Sequence, residues 1–72
     1  MVDIVHLKAG RNLDLDNDTL AYIITGKATI SEQKNGKTTE TNSIINGDLI
    51  RSNSARVSAL NDVHLLVVSQ NQ

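Results

Sequence analysis

The sequence predicts an all-β fold of about eight short antiparallel strands. Turn-forming residues recur every ~8–12 positions, at Gly10, Asn17-Asp18, Gly26, Asn35-Gly36, Asn46-Gly47-Asp48 and Asn61-Asp62. The apolar segments between them have strand length and are rich in Val and Ile. No stretch sustains the 3.6-residue apolar period of an amphipathic helix.

The chain is organised around Leu20–Ile30. From Leu20 to Ile24 every residue is apolar or aromatic, and the run closes on Gly26 two positions later. Successive strand side chains point to opposite faces, so Leu20, Tyr22 and Ile24 share one face and Ala21 and Ile23 the other. Both faces are apolar and both are expected to be covered. In so small a chain, a partner subunit is the expected cover for one of them.

Val2 to Lys8 reads as the first strand, with Val2 and Ile4 on one face and Val5 and Leu7 on the other. After Gly10, Leu13-Asp14-Leu15-Asp16 alternates as a half-exposed strand does. Gly26 is expected to permit a bulge or a close backbone approach. Lys27–Lys34 forms the next strand, and Asn35-Gly36 predicts a tight hairpin, because a type I′ turn needs positive φ at both positions. The threonine-rich Lys37–Thr41 is then an exposed return strand. Ile44-Ile45 leads into the Asn46-Gly47-Asp48 turn, and Leu49-Ile50 opens a strand that fades through Arg51–Ser54. Ala55–Leu60 alternates. Val63–Val68 is again apolar on both faces, and residues 69–72 form a polar tail.

Seventy-two residues make one domain, 1–72. A domain of that size buries only roughly 60% of the surface of its unfolded chain, so outside support is common. Without cysteine there is no disulfide or thiolate metal site, which leaves oligomerisation, here a homodimer, as the expected support. A cysteine-free chain without a basic, apolar leader fits the cytoplasm. The net charge is −1, no basic run exists and Tyr22 is the only aromatic, which excludes a nucleic-acid partner of the usual kinds. No apolar run approaches the ~20 residues of a membrane span.

The strand pattern resembles that of small cupins. Leu20 to Gly26 is similar to the strand that closes their first motif, and Ile45-Asn46-Gly47-Asp48-Leu49-Ile50 to the Gly-Asp turn that opens their second. Ser54 to Val68 resembles their closing hairpin, and equally that of cyclic-nucleotide-binding domains. The resemblance covers residues 3 to 68 and implies a double-stranded β-roll of the jelly-roll barrel type. It also implies where a metal would sit. The family's paired histidines fall on Leu13 and Leu15 and its glutamate on Thr19. The later histidine falls near Arg56 or Ser58. None of these is a usual ligand for such an ion, and the second motif's proline is missing, so no metal and no cofactor are expected. The phosphate cassette of cyclic-nucleotide domains has only Arg51–Ser54 in its interval.

Asp14-Leu15-Asp16-Asn17-Asp18 opens like a calcium loop, but Thr19 and Thr25 hold the places of its glycine and glutamate. His6 and His64 meet if the first and last strands pair, yet two histidines without a clear carboxylate make a weak site. Arg56 and Arg51 are candidates to clamp an acidic small molecule, with His64 beside them. Ser52, Ser54 and Ser58 lack a glycine elbow, and no residue set is offered as catalytic. Leu20, Tyr22, Ile24 and Leu66 are the expected dimer contacts. The expectation is a non-enzymatic binding or scaffolding homodimer without a metal. A metal-free isomerase or lyase acting on a sugar or keto acid is one alternative, and a small-molecule sensor shaped like a cyclic-nucleotide domain is another.

Overall fold

A computed structural model describes residues 2–34, 37–52 and 54–69, the side chains of 33, 34, 38–40 and 52 excepted. The Asn35-Gly36 turn lies outside these residues. Eight strands follow in order: β1 Val2–Leu7, β2 Asn12–Leu15, β3 Thr19–Thr25, β4 Lys27–Lys34, β5 Lys37–Ile45, β6 Leu49–Ser52, β7 Ala55–Ala59 and β8 Val63–Ser69. They form two antiparallel sheets of four, ordered β1-β8-β3-β6 and β2-β7-β4-β5. The return strand β5 runs four residues further than its threonine-rich start predicts, because Ile44 and Ile45 stay paired with Ala28 and Lys27. Among the described residues no helix is long and apolar enough to cross a membrane.

First pairs with last, second with seventh, third with sixth and fourth with fifth. The chain is thus one long antiparallel hairpin doubled over itself. Additional pairing of β8 with β3 completes one sheet, and of β7 with β4 the other.

Period-2 alternation explains the core. On β3, Ala21 and Ile23 are fully buried while Tyr22 and Ile24 stay exposed. On β8, Val63 and Leu65 point inward, and on β7 Ala55, Val57 and Ala59 do. Leu7, Leu15, Ala28 and Ile44 complete the buried layer, with Val5, Leu13, Ile30, Ile50 and Val67 packed against it. Small and large side chains mix across the gap, which lets the sheets approach closely.

Two corners carry glycine for a physical reason. Gly47 has φ +94° and sits third in the turn Ile45–Asp48, whose ends are joined by Asp48 N–H donating to Ile45 O at 3.1 Å. That is glycine's place in a type II turn. The Asp48 carboxylate also accepts from Ile45 N at 2.8 Å. Gly26, at φ +109°, follows a register shift between Ile23 and Thr25, where the chain passes from one sheet to the other. A Cβ there would overlap the carbonyl oxygen of Asp62 and lie 2.8 Å from Val63 Cα. Of the two alternatives expected at Gly26, the close backbone approach is the one found there.

Candidate functional site: an apolar sheet face and an aliphatic interior

The interior is aliphatic. Leu15 is buried, Leu13 packs against the core, and Thr19 is the buried polar residue among the described ones. Among the described residues no buried side-chain nitrogen or oxygen lacks a hydrogen-bond partner. The described interior side chains offer apolar contact and one threonine hydroxyl.

The outer faces of the two sheets differ sharply. Across the β2-β7-β4-β5 sheet the registers place Asn12, Ser58, Thr29 and Ser43 in one outward row. Asp14, Arg56, Ser31 and Thr41 form the next. That face is polar and water can solvate it. Across the other sheet one row reads Ile4, Leu66, Tyr22, Leu49 and its neighbour Val2, Val68, Leu20, Arg51. Ile4 is 72% exposed, Leu49 67%, Val2 61% and Tyr22 42%. With Ile24, these side chains leave on the order of 500 Å² of apolar surface in water, the upper end for the largest patch of a monomer. Leu20, Tyr22, Ile24 and Leu66 therefore do share one surface. Ile4, Val2, Leu49 and Val68 belong to it as well. Alternation already puts Val2 and Ile4 on one strand face, but only the pairing of β1 with β8 shows which face they join.

Beside the apolar rows stand the two histidines. His6 and His64 are direct cross-strand partners, with ring centroids 4.3 Å apart and planes within 5° of parallel. Nδ1 of His64 shares a 3.2 Å hydrogen bond with the Thr25 hydroxyl, and Nε2 of His6 lies 3.9 Å from an Asp62 carboxylate oxygen. A ring nitrogen binds a metal along its own plane, so two parallel stacked rings cannot both hold one ion in this arrangement. Among the described residues no three His, Cys, Asp or Glu side chains are grouped to hold a metal.

The remaining ligand-binding candidates are not brought together. Arg51 and His64 lie on the outer face of one sheet and Arg56 on that of the other. Arg56 lines an open groove of about 200 Å³ with Asp14, Leu15, Asp16, Ser54 and Ala55. Its guanidinium is engaged there: Nε donates to Asp14 Oδ1 at 2.7 Å and Nη2 to Oδ2 at 3.3 Å. The hydrogen bond to Arg56, aided by its charge and opposed by slight desolvation, holds the Asp14 carboxyl below its usual range. A depressed carboxylate adds stability above its unfolded value and loses it as pH falls through the folded one. Both groups are solvated and such pairs contribute little. Asp14→Asn is therefore expected to leave the melting temperature at neutral pH unchanged, as a thermal scan would read it. Ser54, at φ +68°, donates its hydroxyl to Asn17 Oδ1 at 3.2 Å and so ties the two turns at this end.

Compared with known proteins, the chain matches no family model, no curated protein and no solved structure.

Proposed function

We propose that this chain is a small jelly-roll domain of the cupin-like type. It works as a cytoplasmic homodimer in a binding or scaffolding role, without a metal centre. The carrying observation is the contrast between an interior packed with Leu15, Ile23, Val57 and Leu65 and an outer sheet face that leaves Ile4, Tyr22 and Leu49 in water. The doubled hairpin supports the jelly-roll part, since eight strands in two sheets with first-to-last pairing are what such a roll requires. Leucines at the positions where cupins hold imidazoles support the metal-free part.

The choice of a second copy as occupant rests on area and charge. A standard interface covers about 800 Å² on each partner. The exposed apolar side chains, with half-buried Leu20, Leu66 and Val68 between them, supply most of that. Arg51 is the only charged residue in the two apolar rows, so a copy related by a two-fold axis meets the face without like-charge conflict in its centre. Tyr22 lies in the central row, a position where aromatic residues dominate binding energy.

Tyr22→Glu tests the reading. Its side chain points away from the core, so the fold is expected to persist by circular dichroism. The dimer dissociation constant is expected to rise about a hundredfold or more, as loss of a central anchor does. An unchanged constant would remove the face from the interface.

A further inference from the structure

We infer that the stacked pair His6 and His64 makes this dimer acid-sensitive: the two copies hold together while the imidazoles are neutral and separate when they are protonated. The inference rests on the proposed dimer and adds its regulation.

The geometry carries it. His6 and His64 lie on the same outer face as Ile4 and Leu66, one side-chain repeat further along β1 and β8. The apolar rows therefore continue directly into the rings, and a partner covering the rows also covers or abuts the pair. The rings lie parallel at 4.3 Å, an arrangement open to two neutral rings or to one neutral and one charged. Two cations at that spacing repel, and pressing them against a second apolar face removes the water that would screen them.

The titratable surroundings do not offset a double charge. Asp62, in the turn before β8, stands 3.9 Å from His6 Nε2 and supplies one countercharge. Thr25 offers His64 a neutral hydroxyl. Tyr22 lies one row away on β3, and Lys8 follows His6 by two residues, just past the end of β1. Apart from His64 itself, β8 carries no titratable side chain. In a symmetric dimer the situation occurs twice. Imidazole is the side chain whose ordinary titration falls between pH 5 and 8. Linkage gives the sign: association is full above that window and is lost as pH falls through it.

Sedimentation of the full chain at pH 7.5 and pH 5.5 tests this, beside a His6→Gln, His64→Gln double variant. The wild type is expected to bind itself about tenfold or more weakly at pH 5.5, while the double variant keeps one constant at both values. Equal wild-type constants at the two pH values would overturn the inference and leave the dimer standing. So would an acid loss that the double variant retains, or a loss of the β-sheet circular dichroism signal at pH 5.5, since acid would then act elsewhere. A wild type that is monomeric at pH 7.5 would overturn the dimer and the inference with it.

Discussion

Gly26→Ala is expected to remove a large part of the stability of the domain. A methyl group at this corner overlaps the Asp62 carbonyl oxygen and stands 2.8 Å from Val63 Cα and 2.9 Å from Val63 Cγ2. The first two are backbone atoms of the turn that starts β8, so no side-chain rotation relieves them. The backbone itself, at φ +109°, lies where only glycine rests without strain. Relief would require β3 to separate from β8, and those strands hold Ile23 and Leu65 against each other. The combined penalty is expected to be about 3 kcal/mol or more, a large part of the stability of so small a domain. Thermal unfolding should show a fall of roughly 15 °C or more. Gly10 is a built-in control: it too has positive φ, but a Cβ there meets nothing within 4 Å. The same substitution at Gly10 should cost distinctly less.

Leu65→Ala has the second-largest expected effect, for the opposite reason. Leu65 is fully buried, opposite Val5 on one side and Ile23 on the other, at the centre of the layer between the sheets. Truncation removes apolar contact and leaves a void that rigid strands on both sides are slow to fill. Buried leucines in this setting lose roughly 2–5 kcal/mol on truncation. A denaturant titration is expected to show an earlier midpoint with an unchanged slope, the mark of lost stability within a retained fold. A loss below about 1 kcal/mol would mean that the interior is loosely packed, and the proposed absence of an internal site would lose its support.

Much of this fold was legible because strands announce themselves locally. Turn residues bound every apolar run, and alternation on Leu20–Ile24 separated the inward Ala21 and Ile23 from the outward Tyr22 and Ile24. Lys27–Lys34 needed no adjustment. The return strand β5 extends beyond Thr41 because Asn42 and Ser43, which look like loop residues when read alone, pair with Ile30 and Thr29, a long-range cause with no local signature.

The candidate surface was legible only in part, for the same reason. Tyr22 and Leu66 each stood out within their own strands. That Ile4 and Leu49 complete their row depends on the order β1-β8-β3-β6, which joins segments more than 60 residues apart. His6 and His64 were suggestive only on the condition that first and last strands pair. Their parallel stacking, and Asp62 beside them, follow from register and turn geometry. Arg56 is a candidate clamp for an acidic molecule when read alone, and only the β2–β7 register shows Asp14 directly opposite it.

In the proposed homodimer the apolar outer face lies between two copies of the chain. Sedimentation equilibrium of the wild-type protein at micromolar concentration and pH 7.5 tests it most directly. The expected result is a species of twice the 7.8 kDa chain mass, dissociating on dilution to a single folded chain. A single species of the chain mass at every concentration would rule the dimer out.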